Sequence, residues 1–322
     1  METAIIIVNY KTPWYLNKCL ESVFENTSDF HIFIALNSND EASLKVVNKF
    51  KKKYPNEITV IDNKKNLGFV GGVNSAYSQA IKYERVCLLN SDTIVTPEWL
   101  MELNKVLDEN DDVVQVSPDS NSFYVDKSLW RFSKLLPPFL SRLSYLQIYT
   151  NSLPVSTNYD DRFKEIKFYE YNEFYKFCAG FCNVFKSKYF KNLGYFCDPN
   201  IVHGYWDDFD LSMYLRKFGT IGWTNSSYVF HYVNISFNKI SEEKKGMKEE
   251  LNLLNGLYVM DKWSKEVLEG IKEMGPEELE ARHDSYVVNM ALKYLERVKE
   301  GAKFTEYIQT IPAKSIGEKF LG

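Results

Sequence analysis

Three carboxylates stand within four residues in Tyr205-Trp206-Asp207-Asp208-Phe209-Asp210-Leu211. Their mutual repulsion requires that something offset them or hold one protonated. Leu211, Tyr214, Leu215 and Phe218 follow at helical spacing and Gly219 ends the run, which puts Asp207 and Asp208 at a helix N-terminus. Negative charge is favoured there by about 0.3–1 kcal/mol, a purely structural reason for acids at that place. The chemical reading is a general base that deprotonates a hydroxyl nucleophile. A further carboxylate arrives differently. In VCLLNSDTIVTPEW, residues 86–99, an apolar run delivers Asn90-Ser91-Asp92 at its tip. A buried charge there needs a cation, a donor or water, whereas a solvated turn accounts for it equally well. His231, in the strand-like Tyr228-Val229-Phe230-His231-Tyr232, has by itself the pattern of a hydrogen-bonded core residue. Paired with Asp92 it becomes a candidate ligand for a divalent cation bound to phosphates. Finally, Asn66-Leu67-Gly68-Phe69-Val70-Gly71-Gly72 precedes a helical pattern and offers backbone N–H groups to a diphosphate. It matches neither the dinucleotide nor the P-loop spacing, and a tight strand-to-helix turn explains the glycines as well.

The elements that must position these groups alternate. Ile5–Val8, Ile32–Leu36, Ile58–Ile61 and Val86–Leu89 are short apolar, β-branched-rich runs of the kind buried on both faces of a sheet. Between them lie helical patterns. Thr12-Pro13 opens one with Leu16, Leu20, Val23 and Phe24 on one face, and Leu44, Val47, Phe50 and Tyr54 mark a second. Val73, Ala76, Tyr77, Ala80 and Ile81 mark a third, and Thr96-Pro97 opens a fourth with Leu100, Leu103 and Leu107. This is an α/β fold with a mostly parallel central sheet flanked by helices. In such sheets ligands bind beyond the carboxyl ends of the strands. Those ends hold Asn9-Tyr10, Asn37-Ser38-Asn39-Asp40, Asn66-Leu67-Gly68 and Asn90-Ser91-Asp92. After Ser117 the alternation stops. Residues 128–154 mix aromatics, Leu and Arg/Lys around Pro137-Pro138, the pattern of a packed insertion, of an acceptor-side lid or of an interfacial segment. Residues 1–240 read as the main domain, and 241–322 as a helical C-terminal extension rich in Lys, Glu and Leu.

Bulk properties narrow the function classes. Net charge is −4, so no global basic field argues for nucleic acid. The five cysteines are odd in number and scattered, the usage of a reduced, cytosolic protein. Cys178 and Cys182 have a spacing seen in zinc sites, but no second pair or placed His completes one. The N-terminal apolar run is too short, and lacks the basic flank, for a signal peptide, and no run approaches the roughly 20 apolar residues of a membrane span.

Taken in order, IIIVNYKTPWYLNKCLESV, NLGFVGGVNSAY, LLNSDT, YWDDFDLSMYLRKFG and FHYVNIS resemble the family 2 glycosyltransferases, and most of all the branch of bacterial rhamnosyltransferase-like enzymes. The likeness runs over residues 3–263 and includes Lys262-Trp263. It implies the GT-A fold and an inverting hexosyl transfer from a UDP- or dTDP-linked sugar. The resemblance implies Mn or Mg as the divalent metal, with Asp92 and His231 as ligands and Asn90 nearer the donor. Asp207-Asp208 matches the family's Glu-Asp pair, with Asp208 as the base, and Arg216 matches the Arg on the following helix. The donor-binding set expected on this basis is Asn9, Tyr10, Asn37, Asn66, Gly68, Gly71, Asn74, Asn90 and Arg216. The acceptor implied is a glycan, lipid-linked or protein hydroxyl in polysaccharide biosynthesis. The implied location is the cytoplasm, with a peripheral contact at the inner membrane face through 128–154 and no nucleic-acid partner.

Two departures from the family stand out. Its second strand usually ends in an Asp that reads the pyrimidine; here the sequence is Ala35-Leu36-Asn37. Asp207 also stands where the family has Glu, one methylene shorter. A non-catalytic GT-A-fold module that binds a glycan or partner is the competing reading. Nucleotidyl transfer onto a sugar phosphate would want a Gly-, Arg- and Lys-bearing loop after the first strand, which Asn9-Tyr10-Lys11-Thr12 does not supply.

Overall fold

A computed structural model of the chain describes residues 2–121, 166–169, 174–232, 235, 247–282 and 285–299. The segment 128–154 lies outside them.

The β-branched runs become the strands they predict. β1 (Thr3–Asn9), β2 (Phe30–Leu36), β3 (Ile58–Asp62) and β4 (Arg85–Leu89) pair in parallel in the order β3-β2-β1-β4. Between them stand α1 (Pro13–Asn26), α2 (Glu41–Lys53) and the short α3 (Gly68–Ser75) and α4 (Tyr77–Ala80). Then come β5 (Thr93–Val95), α5 (Trp99–Glu109), β6 (Val113–Asp119), β7 (Ile166–Tyr169) and β8 (Cys182–Lys186). The last elements are α6 (Asp207–Leu215), β9 (Thr220–His231), α7 (Met247–Lys262), α8 (Ser264–Ala281) and α9 (Tyr286–Lys299). The sheet continues β4-β8-β6-β9-β5, with β8 antiparallel to both neighbours, β6 and β9 parallel, and β7 beside β9.

Each face of the sheet carries one core. On one side α1, α2 and α5 bury Leu16, Leu20, Val23, Val47, Phe50, Trp99 and Leu103 against Ile5, Ile7, Ile32 and Ile34. On the other, Val73, Ala76 and Ala80 share a core with Phe209, Leu211 and Leu215 of α6 and with Leu257, Met260, Trp263, Val267, Val288 and Ala291 of the C-terminal helices. These helices, expected as an extension, therefore complete the second core layer.

Local details depart from the pattern. Thr96-Pro97 does not open α5. Glu98 takes a left-handed φ of 61°, the helix begins at Trp99, and the Thr96 hydroxyl donates to the Tyr228 carbonyl at 2.6 Å. Thr12 stands at the N-cap of α1, but its hydroxyl donates to Asn9 Oδ1 at 2.5 Å rather than accepting from the helix. The Gly68–Gly72 stretch is already helical.

Candidate active site

A cleft of about 540 Å³ opens at the carboxyl ends of β1, β2 and β4, between those ends and the N-terminus of α6. The predicted metal pair, Asp92 and His231, lines it. β4 stops at Leu89, and the Asn90 N–H then donates to the Phe181 carbonyl at 2.8 Å. That turns the chain back, and β5 pairs antiparallel to the end of β9 with Thr93 opposite His231. Asp92 and His231 are thereby neighbours: Oδ1 lies 3.4 Å from Nε2, and the same nitrogen is 3.4 Å from Asn90 Nδ2. The ring of His231 is stacked on Phe181 with centroids 5.0 Å apart, and its backbone exchanges bonds with the Asn121 amide. Burial pushes the Asp92 carboxyl up. The charge of His231, the bond to it and the Ile235 N–H outweigh burial and hold it below the usual range.

This pair fits a divalent cation. Neighbouring ligands of an octahedral ion with bonds of about 2.1 Å lie about 3 Å apart, close to the observed separation. Among the described residues no group of three or more side chains could hold a metal unaided. Two protein ligands is the number expected where substrate phosphates supply the rest.

The acids Asp207 and Asp208 line the same cleft. Asp208 Oδ2 accepts from the Gly180 N–H at 3.0 Å and Oδ1 from Phe209 N–H at 2.9 Å, so the carboxylate is aimed by backbone on two sides. A Cβ on Gly180 would stand 3.1 Å from that carboxylate, tighter than an ordinary contact. Burial nevertheless raises the Asp208 carboxyl. Asp207 is raised too, by burial first and then by the charge of Asp208. Burial and the neighbouring charge thus favour the protonated form of Asp207. The third acid, Asp210, faces away from the cleft. It binds Lys262 Nζ and accepts from Trp263 Nε1, both at 2.7 Å, and Lys262 also reaches Asp198 at 2.7 Å.

The turn before α6 is unusual. His203, Tyr205 and Trp206 have φ of 62°, 67° and 70°, and Gly204 has φ 148°. Such conformations in non-glycine residues persist only where surroundings over-determine them. Three contacts do so. The His203 carbonyl accepts from the N–H groups of Phe69 and Val70. Asn255 of α7 bridges Val202 and Gly204 with three bonds. Trp206 Nε1 donates to Asn252 at 2.8 Å, and its ring stacks on Tyr286 of α9. Gly68 lies against this turn. At its φ of 71° a Cβ would come within 2.2 Å of His203 Cα.

A model of glycosyl transferase family 2 matches residues 4–194, more than half of the chain. The chain belongs to this family. A curated relative, the poly(ribitol-phosphate) beta-glucosyltransferase of Bacillus spizizenii, is 27% identical over 113 residues, 34% of this chain but only 18% of the relative's length. Three solved structures share the fold, which is GT-A. GalNAc-T7 with UDP, GalNAc and Mn2+ has a TM-score of 0.55 at 15% identity, covering 99% of this chain and 58% of its own. The mannosyltransferase PcManGT of Pyrobaculum calidifontis with GDP-Man and Mn2+ gives 0.53 at 12%, covering 99% and 81%. S. aureus TarS 1-349 gives 0.53 at 14%, covering 94% and 92%.

In this family 2 chain the expected donor residues divide. Tyr10, Asn37, Asn66, Gly68 and Asn90 line the cleft. Asn9, Gly71, Asn74 and Arg216 do not. Asn9 is buried between Ser43 and Thr12, and Asn74 holds the backbone of Phe196 and Cys197. Gly71 stands against Leu67, and the Arg216 guanidinium donates to the Lys176 carbonyl at 2.9 Å. The N–H groups read at Gly68–Gly72 as a place for a diphosphate have partners within the chain. The first of them are engaged by Asn66 Oδ1 and the His203 carbonyl, so they secure the acidic turn. His203, Gly180, Asn252 and Tyr286 line the cleft without having been expected there. Only Gly180 had a signal, a glycine between Cys178 and Cys182 with no role in a metal site. The five thiols are buried and unpaired.

Proposed function

We propose that the chain transfers a sugar from a UDP- or dTDP-linked donor to a hydroxyl of a glycan, lipid-linked or protein acceptor, inverting the anomeric carbon, with Asp208 as general base. The observation that carries this reading is one cleft lined by both a cation-competent pair, Asp92 and His231, and a backbone-aimed carboxylate, Asp208. The UDP and Mn2+ named for GalNAc-T7 and the GDP-Man and Mn2+ named for PcManGT support a nucleotide-linked donor and a divalent metal. The name of the poly(ribitol-phosphate) beta-glucosyltransferase supports transfer of a sugar to a polymer.

In this scheme Asp92 and His231 hold Mn or Mg, which when bound offsets the charge growing on the departing diphosphate. Asn37 faces the donor with half its amide engaged. Nδ2 donates to the Gly68 carbonyl at 2.7 Å, and Oδ1 accepts from Asn63 at 2.8 Å. One N–H and one lone pair remain for a nucleobase edge. Asp208 accepts the proton of the acceptor hydroxyl as the oxygen attacks the anomeric carbon from the face opposite the diphosphate. A single base suffices, unlike the paired carboxylates of glycoside hydrolysis. Protonated Asp207 keeps a second negative charge away from that oxygen. Five buried, unpaired thiols fit a reducing compartment, and we assign the reaction to the cytoplasm. Among the described residues no helix is long and apolar enough to cross a membrane.

Thermal shift against UDP-, dTDP- and GDP-sugars, each with and without Mn2+, tests the reading. A ligand at about 100 times its Kd adds about 2.7 kcal/mol. Metal-dependent stabilisation by one nucleotide class, with slow release of its nucleoside diphosphate, is the expected result. A flat panel with a folded protein overturns it in favour of a non-catalytic module.

A further inference from the structure

The ring of Tyr286 forms part of the cleft wall and is 46% exposed. It comes from α9, beyond residues 4–194 that match the family model. It is held on two sides. Its ring stacks on Trp206 with centroids 4.4 Å apart and planes at 17°, and its hydroxyl donates to Asn252 Oδ1. The same Asn252 oxygen accepts from Trp206 Nε1 at 2.8 Å, so both rings are fixed by one amide. Trp206 directly precedes Asp207 and Asp208, and the charge of Asp208 bears on the Tyr286 hydroxyl. A pre-fixed aromatic surface beside a base has the form of a ligand platform, because no side-chain entropy is lost when a ring settles on it.

Two chemistries could occupy such a place next to the base: a ring sugar, whose C–H face is apolar, or a linear polyol phosphate chain. The charged group on this wall is Asp208, and Glu249 lies near enough for its charge to act on Tyr205. Acidic surroundings repel a polyanion and leave a neutral ring unaffected. We propose that Tyr286, backed by Trp206 and Asn252, is the stacking platform of the acceptor subsite and takes an uncharged pyranoside. This rests on the transferase reading for the role of acceptor, though not for the binding itself.

Saturation-transfer NMR with methyl α- and β-hexopyranosides tests the platform directly, on the wild type, Tyr286→Phe and Tyr286→Ala, with melting curves to show that all three are folded. The expected result is transfer to ring C–H protons in the wild type and the Phe variant, with at least a tenfold weaker Kd in Tyr286→Ala, the order expected from losing an aromatic contact. Equal binding by Tyr286→Ala and the wild type overturns the proposal, as does binding of a ribitol-phosphate oligomer in place of every pyranoside. Release of nucleoside diphosphate by the wild type is measured alongside. Binding without release from any donor leaves the sugar site standing and removes the transferase reading. Release combined with Tyr286-independent binding does the reverse.

Discussion

Asn255 Nδ2 donates to the Gly204 carbonyl at 2.6 Å, and through this bond the C-terminal helices hold the turn that presents Asp207 and Asp208. The same amide donates to the Val202 carbonyl at 2.9 Å and accepts from the Val202 N–H at 3.2 Å. Three non-glycine residues with positive φ follow within four positions, and each such conformation costs about 1–3 kcal/mol. Asn255 is 3% exposed and does not line the cleft, so it acts by positioning.

Replacing it with Leu keeps the volume and removes all three bonds. The expected outcome is a kcat lower by about 10–100-fold, as for a misplaced catalytic group, with the donor KM little changed because Asp92, His231 and Asn37 are untouched. Asn255→Asp is expected to be at least as damaging, since it sets a carboxylate against two carbonyls. Steady-state kinetics on both variants checks this. A parallel rise in donor KM would show that the turn serves binding instead.

Asp207 and Asp208 are adjacent yet are assigned opposite states. Asp208→Asn removes the proton acceptor and is expected to lower turnover by about 10²–10⁴-fold, with metal-dependent donor stabilisation retained. Asp207→Asn resembles the protonated acid already present, and is expected to keep turnover within about tenfold of wild type. Nucleoside diphosphate release with acceptor present measures both. Wild-type turnover by Asp208→Asn would refute the assignment of the base.

The protonated state of Asp207 also has a stability signature. Its folded pKa is raised, so between the ordinary aspartate range and the raised value the folded chain binds more protons than the unfolded one. Stability then falls as pH rises through that window. The Asn variant carries no such proton. Its Tm should match the wild type near pH 4 and exceed it increasingly toward pH 8, by roughly 2 °C for each kcal/mol in a chain of this size. Melting curves across that range decide it, and a difference that shrinks with pH would mean Asp207 is ionised in the fold.

What the sequence made legible follows from burial. β1, β2 and β4 lie largely buried on both faces, so their cores are unbroken apolar runs, whereas the edge strand β3 is only half-buried; the cleft lies at the carboxyl ends of β1, β2 and β4. β5 has three residues and β8 is paired on both sides yet carries Asn183, so neither shows a clear period. The Gly68 stretch was legible as a helix start, but not that its N–H groups face His203, because that partner is over a hundred residues away. The C-terminal helices looked like an appendage because an amphipathic stripe does not say what it covers. One signal was present in the stripe. Leu251, Asn255 and Val259 stand at i, i+4 and i+8, with Leu251 and Val259 1% and 0% exposed, so a polar residue sits where only an apolar one is needed for packing. An amide there has to be satisfied by something folded against it.

Lys262 provides the last test, because it joins the acid cluster to α7. Its ammonium bridges Asp198 and Asp210, each 6% exposed at the side chain, while Trp263 Nε1 donates to Asp210. Burial lowers the Lys262 pKa, but the charge of Asp210 and the bond to Asp198 more than offset this and raise it. Burial pushes Asp198 up, yet Lys262 pulls it below its ordinary value, whereas for Asp210 burial prevails and the carboxyl is raised. Lys262→Met keeps an unbranched apolar side chain of similar length and removes the cation, leaving two buried carboxylates without their shared partner. The cost at neutral pH is about 3 kcal/mol, the scale for breaking a buried pair by deleting one partner. Asp198 contributes stability that is present above the ordinary aspartate range and is lost as pH falls through its depressed folded value. In Lys262→Met that contribution is gone, and both acids are relieved by protonation. The Tm deficit of the variant is therefore expected to be large at pH 8 and to narrow toward pH 4. Melting curves at the two pH values distinguish this from simple loss of packing, which would give the same deficit at both.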